Sequence, residues 1–219
     1  MLKDWSNVII PEEEEINERL EKARNKLVQQ QILIMQKKLP VLVSFDGWGA
    51  AGKGSILGKI IKNIDPRFFK VAVMDKPTED EKRRPFLYRY VINIPEAGKF
   101  TFMDGGCLDE VTKQKLSGKI TDEEYKRKIE SVKRFERQLS DNGYLVIKFF
   151  FHIGEQEQRK RLTRLLDDKN TRWRVSEYDW WQNQHYKKSL KAFDQFIDDT
   201  SQSIAPWYII DATDKKWAQ

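Results

Sequence analysis

The sequence predicts a doubly wound α/β domain, a parallel sheet with helices on both faces. Three observations carry that expectation. A short apolar, β-branched run at 41–45 passes straight into a glycine-rich loop and then into Ile56, Leu57, Ile60 and Ile61 at helical spacing. Further short apolar runs alternate with helical stretches down the chain. The length of 219 residues and the 39% hydrophobic content support one sizeable core with at most a small lid, so 1–219 is expected as one domain.

Residues 11–38 read as a long helix within an amino-terminal extension, 1–39. Pro11 and the run Glu12 to Glu15 suit a first turn, and Ile16, Leu20, Leu27 and Ile34 supply a helical apolar pattern. Leu39-Pro40 stops it. Strands are expected at 41–45, 69–74, 100–103, 145–151 and 207–210. Helices are expected after the glycine loop and around 79–90, 122–139, 155–166 and 180–199. The polar stretch 168–179, lying between helical patterns, is expected as a small helical lid. No repeat or Pro/Gly/Ser linker divides the chain. It ends directly after the last expected strand, where a doubly wound sheet lays another helix, which leaves open a piece of a longer, two-domain protein.

Charged residues make up 34% of the chain, but seven Trp and twelve Phe exclude a disordered polyelectrolyte. The single cysteine, Cys107, forms no intrachain disulfide, and no amino-terminal apolar stretch suits a signal peptide or a membrane span. A reducing, cytoplasmic setting without a membrane partner is expected. The net charge of +6, from 40 basic and 34 acidic residues, favours a polyanionic partner: nucleic acid, nucleotide or inorganic polyphosphate. The alternative is that these cations solvate helix faces.

The segment Gly47-Trp48-Gly49-Ala50-Ala51-Gly52-Lys53-Gly54 fits G-x-x-x-x-G-K between a strand and a helix, the context that the Walker A motif requires. Such a loop curls so that its backbone N–H groups, around Gly47, Gly49, Ala51, Gly52 and Gly54, face phosphate oxygens, and Lys53 adds a mobile cation. The alternative is a glycine-rich turn with a solvated lysine. The hydroxyl that usually follows the lysine and binds Mg²⁺ is replaced by Gly54. Ser55, one residue on, is turned by about 100° around the helix and is a doubtful substitute. Asp46, at the end of the first strand, is a candidate to hold Mg²⁺ or orient Lys53, or else caps loop N–H groups. Asp104, at the end of the strand 100–103, stands where the second metal-binding acid of a P-loop enzyme is expected, although Asp104-Gly105-Gly106 also reads as a turn.

With these residues in view, the chain resembles the polyphosphate kinase 2 family, in particular its AMP-phosphorylating two-domain members. Gly47 to Gly54 is similar to the family loop G-x-D-A-A-G-K-G, including its final glycine. Asp65-Pro66-Arg67, Phe86-Leu87-Tyr88-Arg89, Phe135 to Leu139, Lys148 to Ile153, Gln158 to Leu162, Arg172-Trp173-Arg174, Asp179 and Ala205-Pro206-Trp207 resemble further family segments in order over nearly the whole chain. The resemblance implies a P-loop kinase-like fold and Mg²⁺-assisted phosphoryl transfer between inorganic polyphosphate and a nucleoside mono- or diphosphate. It disfavours nucleic acid as substrate and an ordinary ATP-dependent nucleoside kinase. It implies pairing with a second copy or a similar domain, Arg89 near the acceptor nucleotide, and Arg172 and Arg174 on a lid over the transferring phosphate. Lys53, Asp104, Asp46 and Arg174 are the expected catalytic groups. Basic stretches including Arg159-Lys160-Arg161 are candidates to guide the polyphosphate chain. Two positions depart from the family: Gly49 stands where a carboxylate is expected and Gly105 where an arginine is expected. A catalytically impaired binding half is therefore the second reading.

Overall fold

The computed structural model describes Leu2 and residues 9–219, so residues 1 and 3–8 of the expected 1–39 extension lie outside it. Strands β1 (Val41–Gly47), β2 (Phe69–Val73), β3 (Phe100–Asp104), β4 (Leu145–His152) and β5 (Trp207–Asp211) form one sheet in the order β2-β3-β1-β4-β5. Every pair is parallel. The helices are α1 (Glu13–Gln36), α2 (Lys53–Ile61), α3 (Glu79–Lys82), α4 (Tyr88–Val91), α5 (Cys107–Leu116), α6 (Asp122–Asp141), α7 (Glu155–Asp167), α8 (Glu177–Gln184) and α9 (Tyr186–Thr200).

β1 lies between β3 and β4, and its chain order to either side reverses there, so the carboxyl end of β1 is the crevice position of an open α/β sheet. Its pattern is buried throughout, as a central parallel strand requires. Val41, Val43 and Phe45 face one layer. There Phe45 meets Phe102 at 6.2 Å and Phe151 at 5.4 Å between ring centroids, and Ile56 and Leu57 of α2 join the cluster. Leu42 faces the other layer with Met103, Val146 and Leu139 of α6. In that layer Lys148 of β4 pairs with Glu136 of α6 at 2.9 Å and donates to the Thr200 carbonyl at 2.9 Å. Burial pushes the Lys148 ammonium down and the Glu136 carboxyl up, each opposed by its partner.

Three expectations are corrected. The helix expected at 79–90 is two four-residue helices, because Pro85 lies between α3 and α4 and cannot supply an interior N–H. The stretch 180–199 is also two helices, parted at His185. Finally, α5 follows immediately on Asp104-Gly105-Gly106, so that turn opens a helix, with Gly106 as its N-cap. Among the described residues no helix is long and apolar enough to cross a membrane.

Candidate functional site

The glycine loop leaves the end of β1 through a tight gap. At Gly47 (φ 135°) a Cβ would collide with the Phe151 carbonyl of β4, so only glycine lets the two strands remain paired here. Trp48 is fully buried. Its ring stacks on Tyr186 at 4.1 Å and meets Phe193 edge-on at 5.0 Å, its indole N–H donates to His152 Nδ1 at 3.2 Å, and its backbone N–H donates to Phe151 O. Burial pushes the His152 imidazole toward its neutral form, which suits an acceptor nitrogen. Ala51 is buried and its N–H closes back on the Trp48 carbonyl. The first half of the loop is thus an anchor.

The second half is the open donor set. Gly52 is the left-handed N-cap of α2, and no acceptor among the described residues takes the N–H groups of Gly52, Lys53, Gly54 and Ser55. The expectation of a nest along the whole loop narrows to these groups at a helix amino terminus, a favourable place for phosphate oxygens. Ser55 contributes its N–H there from an exposed position. Lys53 folds back, its ammonium donating to the Gly47 carbonyl at 2.9 Å and the Trp48 carbonyl at 3.1 Å.

A clamp that sequence reasoning missed holds the outside of the loop. Arg161 of α7 is buried, and its guanidinium donates to the carbonyls of Ala51 (3.1 Å), Ala50 (3.4 Å), Ala212 (2.8 Å) and Thr213 (2.7 Å), with Nε on Glu157 at 2.6 Å. Arg159 donates to Asn183 of α8. Of the stretch expected to guide a polyanion, Arg161 is therefore turned inward because backbone carbonyls need its fork of donors. Gly49 is gripped from the other side. Its N–H donates to Gln182 Oε1 at 3.0 Å, and Gln158 Nε2 donates to the Gly49 carbonyl at 3.3 Å and to Gln182 Oε1 at 2.8 Å.

The carboxylates divide into two kinds. Asp46 is buried, its Oδ2 accepting from the Ser44 hydroxyl at 2.6 Å and its Oδ1 from the Gly106 N–H at 2.9 Å. Burial pushes its pKa up to about 6. Each oxygen thus takes one hydrogen bond that joins β1 to the start of α5, and the N–H that Asp46 caps is that of Gly106. Asp104 differs, because Oδ2 lies 3.4 Å from where a Cβ on Gly54 would stand, facing the open end of α2. Burial raises its carboxyl pKa, and Lys53 opposes the rise. Asp109 of α5 is a third acid on this side of the sheet. Its Oδ1 is buried without a hydrogen-bond partner, and burial raises its pKa against the pull of Lys53 and Lys113.

The space beside Gly49 is filled. A Cβ there would collide with the Asp179 carboxylate, whose Cγ is 2.9 Å from that point, while the other Asp179 oxygen caps α8 through Ser176. So the loop lacks a carboxylate at 49, and α8 presses one against the same place. At Gly105 the backbone holds φ 88°, a conformation that an arginine side chain would strain. Arg172 and Arg174 lie in the exposed 3-10 turn Arg172–Arg174, and Arg174 stacks on Trp173 at 5.2 Å. α8 touches the loop through Gln182 and Asp179. Arg89 is buried in α4, donating to the Asp75 carbonyl at 2.7 Å and standing 3.8 Å from Glu110 and 3.9 Å from Glu81. It is no solvated surface charge.

The family model for polyphosphate kinase 2 matches residues 11–219. A polyphosphate:AMP phosphotransferase of Pseudomonas syringae pv. tomato is 33% identical over 183 residues, which are 84% of this chain and 37% of that protein. An AMP/ADP-polyphosphate phosphotransferase of Meiothermus ruber is 29% identical over 202 residues, 92% of this chain and 73% of that protein. The crystal structure of polyphosphate kinase 2 from Arthrobacter aurescens TC1 superposes with a TM-score of 0.89 at 24% identity, covering 100% of this chain and 77% of that one, which speaks for the fold. This chain spans well under half the length of its Pseudomonas syringae relative.

Proposed function

We propose that this chain, which belongs to the polyphosphate kinase 2 family, moves a phosphoryl group between inorganic polyphosphate and a nucleoside mono- or diphosphate at the Gly47 to Gly54 loop. The observation that carries this is the set of uncommitted N–H groups from Gly52 to Ser55 at the start of α2, with Lys53 inside the same turn and Asp104 facing it. Phosphoryl transfer depends chiefly on positioning and on neutralising charge on phosphate oxygens. The N–H groups bind those oxygens, and Lys53 leaves the Gly47 and Trp48 carbonyls to join them. The Arg161 and Gln182 contacts hold the loop's outer side fixed meanwhile.

The donor set agrees with Mg²⁺. Among the described residues no three His, Cys, Asp or Glu side chains are gathered as a metal cage. A magnesium ion is commonly held by one or two carboxylates with substrate phosphates and water, and Asp104 fits the carboxylate's part. When bound, the ion neutralises charge on the bridging phosphate oxygens. Arg89 is proposed for the acceptor side, and residues 168–179 for a lid carrying Arg172 and Arg174. A reducing cytoplasm, and pairing with a second copy or a similar domain, complete the proposal.

A specific observation favours the second reading, a binding half with impaired chemistry: no side chain extends from Gly105, and its φ of 88° resists one. Incubating the chain with polyphosphate, Mg²⁺ and each nucleoside mono- or diphosphate, then separating the nucleotides chromatographically, tests the two. Phosphorylated nucleotide supports transfer; polyphosphate binding with no product with any acceptor supports the impaired half.

A further inference from the structure

The turn after β5 is ordered by its own aspartates. The Thr213 N–H donates to Asp211, and the Lys216 and Trp217 N–H groups donate to Asp214. Arg161 joins this turn to the phosphate loop, since one guanidinium reaches both the Ala51 and the Thr213 carbonyls. As a result Lys215 projects across the loop, its Cε 3.8 Å from where a Cβ on Gly52 would stand. Its ammonium is one bond beyond Cε, and Gly52 is the N-cap of α2. Arg164, one helical turn beyond Arg161 on α7, and Lys59 on α2 lie within electrostatic range. Burial first, then repulsion from Arg161, Arg164 and Lys59, pushes the Lys215 ammonium pKa down, and Glu157 alone opposes. Glu157 is already engaged by Arg161. Lys215, Arg164 and Lys59 form no ion pair among the described residues. Like charges held together without counter-charge favour an anion shared between them.

We propose that Lys215, backed by Arg164 and Lys59, is a second phosphate subsite, over which a linear inorganic polyphosphate runs as it leaves the Gly47 to Gly54 loop past Gly52. The proposal rests on the polyphosphate reading given above. A chain held at both places releases more counterions than one held at the loop alone, so chain length and salt separate the two contributions.

The test compares wild type with Lys215→Gln/Arg164→Gln, and with Lys59→Gln as a second variant, by titration with long-chain polyphosphate and with tripolyphosphate at several salt concentrations. All three side chains are exposed, and Lys126→Gln on α6 controls for net charge. The double variant is expected to bind long-chain polyphosphate roughly tenfold more weakly and with a shallower salt slope, and tripolyphosphate less than about twofold more weakly. Equal affinity of variant and wild type for the long chain overturns the subsite while leaving the transfer reading intact, and so does an equal loss for both chain lengths. Wild type that binds neither ligand overturns both. A single-stranded oligonucleotide that wild type binds more tightly than long-chain polyphosphate, with that binding lost in the variant, reassigns the patch to nucleic acid and also overturns the subsite.

Discussion

Removing the Arg161 guanidinium should unfasten the phosphate loop, and the structure sets the size of the effect. In Arg161→Met the aliphatic packing is largely kept, while the donors to Ala50, Ala51, Ala212 and Thr213 vanish. The Ala50 contact, at 3.4 Å, is long, and Thr213 is exposed and can be solvated. Ala51 and Ala212 belong to fully buried residues, so their carbonyls lose a partner that water does not replace. Each such group costs about 1–3 kcal/mol, which gives a loss of about 2–6 kcal/mol against a typical total stability of about 5–15 kcal/mol. Arg161→Lys keeps the charge but offers one compact donor group in place of a fork, and should lose less than Arg161→Met. Urea unfolding followed by circular dichroism, with the denaturant slope checked for constancy, measures both. A loss under about 1 kcal/mol in Arg161→Met would refute the clamp, because two stranded carbonyls cost more than that.

Three further outcomes follow from the same geometry. Gly49→Asp should lower transfer by about tenfold or more and raise hydrogen exchange in α8, since the new side chain collides with Asp179 and displaces Gln182; faster transfer would contradict this. Asp46 has its pKa raised from 3.8 to about 6, so the folded state holds the proton more tightly, and the stability this contributes is present below about pH 4 and lost as pH rises through about 6. Relative to Asp46→Asn, wild type should therefore lose about 2 kcal/mol between pH 4 and 7, and a difference that stays constant across urea titrations at those pH values would reject the assignment. For the lid, adding polyphosphate with nucleotide should increase amide protection across residues 168–179, and Arg174→Ala should lower turnover; protection as high without ligand as in β1 would rule out a mobile lid.

The sheet was legible because each strand is a short apolar run between polar helices, and the run 41–45 with its loop fixed where the crevice would open. What escaped was set by distant partners. Asp104-Gly105-Gly106 reads locally as a turn, and only the packing of Leu108 and Val111 into the core reveals α5 behind it. Arg159-Lys160-Arg161 reads as one basic stretch, yet Arg161 finds its carbonyl partners about 50 and 110 residues away in sequence, a pairing that no local pattern encodes. Asp46 and Asp104 look alike as strand-end acids. They differ only because Ser44 and the Gly106 N–H close on the first, while the second faces Gly54. Gly49 reads as a lost carboxylate, and its neighbour Asp179 becomes visible only once α8 is folded against the loop.

The central claim, that the Gly47 to Gly54 loop transfers phosphoryl groups between polyphosphate and nucleotide, is tested most directly by phosphorus NMR. Wild type and Lys53→Ala are each mixed with polyphosphate, Mg²⁺ and AMP or ADP at fixed salt, and the loss of mid-chain polyphosphate signal, as each transfer shortens the chain by one phosphate, is followed against the growth of nucleotide β- and γ-phosphate signals. The account predicts steady conversion by wild type and a loss on the order of a thousandfold in Lys53→Ala, since one positioned charge at a transferring phosphate is removed. Equal conversion by both proteins, or binding of polyphosphate by wild type with no conversion of any nucleotide, would contradict it.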